Sequence, residues 1–225
     1  MKETPLVAKS REFAENLISQ LPENYYYHNL VHTQEVVAAA SEIGAESNLT
    51  DEEFENLIVA AWFHDTGYSC GTDHHELESV KIMKQQLSYW KISQEKIYAV
   101  GRIIESTQMP QNPKDLPSQI MCDADLYHLS SKVFEEKSES LRKELTETCA
   151  KELSRDEWRA MTYEFASNHE YFTNYGQTVL TPRKEKNLAK ITPNKKNKEN
   201  KIDKKYVSKL EKEIVKLKNK IDKSK

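Results

Sequence analysis

Five of the seven histidines in this 225-residue chain fall between residues 28 and 75. The ones whose surroundings invite chemistry are His32, at the start of a helix-like run, and His64, which is followed directly by Asp65. Asp125, in the distant segment MCDADLYHL, joins them. Imidazole and carboxylate together are ligands for zinc, manganese, iron or cobalt. His64 closes the apolar run LIVAAWF, where a polar pair is costly to bury unless something satisfies it. Asp123 and Asp125 repeat the theme between Met121 and Leu126. Residue types alone leave two readings open, a metal site or a hydrogen-bonded helix end. Other chemistries lack their motifs: there is no GxxxxGK and no GxGxxG. Cys70, Cys122 and Cys149 form no CxxC spacing, which favours a reducing cytoplasm with each thiol packed as a small hydrophobe.

The elements that must position these residues read as helices almost throughout. Leu6, Phe13, Leu17, Ile18 and Leu21 recur at helical spacing over residues 5–20 before Pro22, and an Ala- and Val-rich segment runs from Leu30 to Ile43. Thr50 with Glu53 forms a capping box that opens a strongly apolar helix ending at His64. After Gly67 and Gly71 a helix begins near Asp73 or His74, and Ser93 is the expected cap of the next one. Residues 107–117, with three prolines, read as a loop. Residues 120–129 form a short buried segment and 131–149 a longer helix. Ser154 with Glu157 is a second capping box, opening a helix that carries Trp158, Met161, Phe165 and Tyr171. The expected fold is all-α: a compact domain of seven or eight helices over residues 1–180.

Charge divides the chain at the same place. Residues 1–180 carry 16 Lys and Arg against 30 Asp and Glu, net −14, whereas 181–225 carry 17 against 6, net +11. The Lys- and Asn-rich stretch from Thr181 to about Lys205 reads as a basic linker. Val207, Leu210, Ile214, Leu217 and Ile221 then form a short heptad seam, either a homo-oligomerising coiled coil or a solvated helix. Tyr206 is the tail's sole aromatic residue, so no specific nucleic-acid binding is expected, and phosphate attraction there would be non-specific. No apolar stretch approaches the length of a membrane span, and the first 18 residues lack the pattern of a secretory signal.

Four segments, YHNLVHT, WFHDTGY, DHHELES and CDADL, stand in an order that resembles the HD-domain superfamily of metal-dependent phosphohydrolases. The resemblance covers roughly residues 5–175. It implies an all-α HD-type bundle in which His32, His64, Asp65 and Asp125 hold one divalent ion, or two bridged by Asp65; Mn, Mg, Zn, Fe and Co all remain open. In some nucleotide-processing members a glutamate used as acid or base stands three positions after the paired aspartate. Tyr68 occupies that position here, which departs from their mechanism.

The same resemblance places His75 and Glu76 near the substrate phosphate, with His75 as proton donor. A second reading of that segment is a capping box from Asp73 to Glu76. Asp65 or Asp125 would accept the proton of an attacking water. No Lys or Arg lies between Arg11 and Lys81, so the phosphate clamp falls to Arg102, then Arg11 or Lys81, with Lys84 read as solvated. His28 and Tyr27 are expected at the pocket approach, where Tyr27 either stacks on a base or packs ordinarily, and Thr107 is expected at the pocket mouth. His128 and His169 read as structural. The implied substrate is a small phosphorylated molecule, a nucleotide-like monoester or diester (a cyclic nucleotide included), because the acidic domain repels polyphosphates and duplex DNA. The alternative is a catalytically weak domain that senses such a ligand and signals through its C-terminal helix or a fused domain.

Overall fold

The computed structural model describes residues 3–71, 74–148 and 152–192. Among these the regular structure is entirely helical: α1 (Pro5–Ile18), α2 (Leu30–Ala45), α3 (Asp51–Phe63), α4 (His75–Tyr89), α5 (Gln94–Glu105), α6 (Leu116–Asp125), α7 (Phe134–Thr148), α8 (Arg155–Asn168) and α9 (Thr181–Ile191). Short 3-10 turns at Thr66–Cys70 and Tyr127–Ser130 follow α3 and α6, and a π-turn at Gly176–Leu180 leads into α9.

The sequence explains where α3 sits. Every residue from Asn56 to Phe63 is buried, and a helix apolar on all sides must be enclosed by others. It packs against α1, α2, α5 and α6. Thr50 and Glu53 complete the expected capping box, which fixes where α3 starts and therefore where its last turn delivers His64 and Asp65. Val36, Ala39, Ala40 and Ile43 line the buried side of α2 in the same core. Leu129, Phe134, Ala166 and Ile191 form a second, smaller core among α7, α8 and α9.

Four details differ from the sequence reading. Helix α6 begins at Leu116 with Pro117 in its first turn, because proline is tolerated where backbone N–H groups have no helical partner anyway; Asp115 caps it by accepting from Ser118 N at 3.0 Å. Tyr171 lies outside α8, which ends at Asn168 when His169 turns extended. His74 flanks α4 in a left-handed conformation, with φ of 56°, and its side chain makes no capping bond. Residues 181–191, expected to be linker, form α9, and the compact unit extends to Ile191. Lys184, Asn187 and Ile191 recur at helical spacing and turn inward, a face that polar residue types concealed. Cys149, Asp73 and the heptad segment 207–221 lie outside the described residues.

No described helix is long and apolar enough to cross a membrane. His169, between α8 and α9, packs edge-on to Tyr171, with ring centroids 4.6 Å apart, and neither ring nitrogen has a hydrogen-bond partner. Burial, helped by the Lys184 ammonium, lowers its pKa to about 4 from an ordinary 6.5. Between those values the unfolded chain takes up a proton that the folded one refuses, so stability falls as pH is lowered through that window. His169→Phe should therefore flatten the decline of the urea midpoint between about pH 7 and about pH 4.5. An unchanged decline in the variant would contradict this account.

Candidate metal centre

Three helix ends bring the polar residues together. Asn29 caps α2, its Oδ1 accepting from Val31 N at 3.0 Å and His32 N at 3.3 Å, so His32 sits in the first turn with its backbone fixed. His64 and Asp65 follow α3 directly, and Asp125 is the last residue of α6. His32 Nε2 lies 3.4 Å from both Asp65 Oδ2 and Asp125 Oδ1. His64 Nε2 lies 3.2 Å from Asp65 Oδ2 and 3.8 Å from Asp125 Oδ1. Ligands held about 2.0–2.2 Å from one ion stand no more than ~4.4 Å apart, and these separations meet that limit.

The chemistry of the donors fits a cation. His32 Nε2, His64 Nε2 and Asp65 Oδ2 are all buried, and none makes a hydrogen bond within the protein. His64 donates its Nδ1–H to the Ala61 carbonyl at 2.8 Å, which leaves the Nε2 lone pair facing the cluster. Donor atoms of His32, His64 and Asp125 all lie within 4.8 Å of one another. Burial works to lower the His32 pKa, but Asp125 and Asp65 outweigh it and raise the value to about 9. Burial likewise pushes the Asp65 carboxyl up, and the imidazoles of His64 and His32 overcome it and hold it well below the ordinary range. A field that holds a proton on His32 so firmly attracts any cation. These residues fit a divalent ion.

Beside the cluster, His28, Tyr68 and His75 form a stack of three rings, with centroids 4.2 Å apart on each side of Tyr68. His75 Nε2 faces Asp65 Oδ1 at 3.8 Å and Glu76 Oε1 at 3.6 Å, so His75 reaches the cluster and Glu76 lies beside His75. Tyr68, where the nucleotide-processing pattern has glutamate, is buried, and burial with Asp65 nearby raises its pKa. It is a neutral slab that sets the spacing of two imidazoles. His28 and Tyr27 are tied down by Glu144 of α7, whose Oε2 accepts from Tyr27 N at 2.7 Å and His28 N at 2.9 Å while Oε1 meets His28 Nδ1. Sequence reasoning missed Glu144 because a glutamate within FEEKSESLRKELTET looks like surface.

Several expected site residues are elsewhere. Tyr27 is 5% exposed, packs its ring 4.6 Å from His32 and hydrogen-bonds His128 Nδ1 through its hydroxyl at 2.8 Å, so it supports His32 and cannot stack on a base. Arg102 pairs with Asp115 at 2.6 Å, at the N-terminal end of α6, whereas Asp125 is at the other end about 15 Å away by helix rise. Arg11 pairs with Glu3 and Glu15 along α1, and exposed Lys81 pairs with Glu78. Thr107 is buried and donates its hydroxyl to the Ile104 carbonyl. Asp123 is structural: it accepts from Phe172 N, Thr173 N and Thr173 Oγ1 at 2.7–2.9 Å and so ties α6 to the following loop. The lysine that does line a cleft beside His32 and Asp125 is Lys137 of α7.

An all-α bundle whose helix ends converge on two histidines and two aspartates defines a class of metal-site domain. Residues 29–130 match the HD domain family. A solved structure from an uncultured Thermotogales bacterium, described as a predicted HD superfamily hydrolase, shares the fold with a TM-score of 0.58 and 15% identity over 83% of this chain and 90% of that one. No curated protein matches this chain.

Gly67, two residues after Asp65, has no room for a side chain. A Cβ there would stand 1.9 Å from the His75 carbonyl oxygen and 2.7 Å from Ser79 N, because the start of α4 lies directly on this turn. Gly67→Ala should lower unfolding free energy by at least about 2 kcal/mol in urea titration. A variant as stable as the wild type would refute that close approach.

Proposed function

We propose that the protein is a metal-dependent phosphohydrolase acting on a small, nucleotide-like phosphomonoester or phosphodiester. The observation that carries this reading is the set of buried, unpartnered donors on His32, His64 and Asp65, completed by Asp125, at the centre of an HD domain. A divalent ion bound there supplies Lewis-acid activation of water and neutralises phosphate oxygens; its identity is not fixed by the donor set. The residues of the chain do the rest. Asp65 keeps one oxygen toward the imidazoles and the other toward His75, and it is the carboxylate assigned here to accept the proton of the attacking water. His75, held in place by its stack on Tyr68, presents Nε2 toward the site and serves as acid for the leaving oxygen. Glu76 orients that imidazole. Arg102, Arg11 and Lys81 are committed to surface pairs, which leaves His28 and His75 beside the cluster and Lys137, paired with Glu35, in the adjoining cleft. Free thiols on Cys70 and Cys122 suit a reducing, cytoplasmic setting.

A second reading is favoured by Tyr68 in particular. A neutral phenol in place of a carboxylate removes one acid–base group, and a domain that binds a small phosphate and turns it over poorly would act as a sensor. One assay separates the two. In the presence of Mn, p-nitrophenyl phosphate or bis(p-nitrophenyl) phosphate should be cleaved, and Asp65→Ala should reduce kcat on the order of 10²-fold or more. A thermal shift with nucleotides but no turnover of either ester would replace the enzyme reading with the sensor.

A further inference from the structure

Tyr68 is satisfied everywhere except at one atom. Its backbone N–H donates to the Asp65 carbonyl at 3.1 Å, and its own carbonyl accepts from Gly71 N at 3.2 Å. Its ring meets Tyr25 edge-on, with centroids 5.7 Å apart, and stacks on His28 and His75. The residue is only 6% exposed, yet its hydroxyl makes no hydrogen bond to any described residue. Unlike Nε2 of His32 and of His64, this oxygen is not sealed from solvent. A buried phenol ordinarily finds an acceptor, because leaving the bond unmade forfeits the cost of desolvating the group. Electrostatics locate the hydroxyl: Asp65, Glu144, Asp125 and Glu76 all act on it. It therefore lies in the field of two carboxylates of the metal cluster while bonding to neither. Burial and these charges raise its pKa above the ordinary 10, which keeps the proton on oxygen and makes the group a donor. Several other donors in this region already have acceptors. His28 Nδ1 is taken by Glu144 and His64 Nδ1 by the Ala61 carbonyl. In the adjoining cleft Lys137 pairs with Glu35, and Arg183 bonds the Tyr127 hydroxyl.

We infer that the Tyr68 hydroxyl is a substrate contact, donating a hydrogen bond to a non-bridging oxygen of the phosphate bound at the metal centre. The inference rests on the phosphohydrolase reading of that centre, and it gives a role to the position where the nucleotide-processing pattern has an acid or base. Tyr68 moves no proton in this account. It holds an oxygen that stays on phosphorus, while His75 serves the oxygen that leaves.

Tyr68→Phe tests this directly, because it keeps the ring on both imidazoles and removes only the hydroxyl. Calorimetric titration of inorganic phosphate into the Mn-loaded proteins should show affinity weakened about tenfold or more in the variant. Mn affinity should stay within about twofold of wild type, since the phenol is not a ligand. The urea midpoint should not fall, since the hydroxyl has no partner in the protein to lose. Equal phosphate affinity in the two proteins overturns the assignment, as does absence of phosphate binding to the Mn-loaded wild type. A parallel loss of Mn affinity, or a lowered urea midpoint, overturns it too, because the hydroxyl would then act through the metal or the fold. Failure of the enzyme reading is distinguishable: it would show as no cleavage of the nitrophenyl esters by the Mn-loaded wild type, which leaves the phosphate titration fully readable.

Discussion

His32, His64 and Asp65 aim nitrogen and oxygen atoms at one another across 3.2–3.4 Å in a region closed to water, and none of these atoms finds a hydrogen bond. Burying one such group unsatisfied costs on the order of 1–3 kcal/mol, and several together would consume much of a domain's margin of stability. A cation resolves the conflict in a single stroke, since it satisfies every donor and offsets the carboxylate charge. The rest of the bundle can be understood as what holds those atoms in place. The buried α3 delivers the His64–Asp65 pair, the Asn29 cap fixes the turn that carries His32, and the bonds from residues 172 and 173 to Asp123 hold the end of α6 two residues before Asp125.

The segment after α8 strengthens that last attachment. Asn187 of α9 donates to the carbonyls of Leu129 and Ser131 at 3.0 and 2.7 Å, and the Tyr171 hydroxyl donates to the Leu126 carbonyl at 3.1 Å. The turn that carries Asp125 out of α6 is thus bonded on both sides, and α9 contributes to positioning although it lies beyond the residues that match the HD domain. On the opposite side, Glu144 and the Tyr68 stack fix His28 and His75 without any lysine or arginine. Imidazoles, not lysine or arginine, are the basic groups packed around the cluster itself.

Much of this was legible in the sequence, for reasons specific to particular residues. Capping boxes at Thr50 and Ser154 are local interactions, so four residues suffice to locate a helix start. Ordered motifs single out His32, His64, Asp65 and Asp125, whose side-chain atoms lie 3.2–3.8 Å apart in the fold. What the sequence concealed depends on long-range contacts. Glu144 meets His28 across more than a hundred residues, and nothing local marks it as buried. Arg102, Arg11 and Lys81 seemed candidates because cations are scarce, but each has a nearer carboxylate partner. Residues 181–191 looked like linker because their inward face includes Lys184 and Asn187; Asn187 satisfies backbone carbonyls there, and Lys184 reaches the His169 carbonyl.

The central claim is that the unpartnered donors form a metal site. Calorimetric titration of Mn into metal-stripped protein tests it most directly, with His64→Gln as the comparison. The account predicts about one tightly bound ion per wild-type chain and affinity weakened at least about tenfold in the variant. Absence of binding to the wild type, or equal affinity in the two proteins, would contradict it.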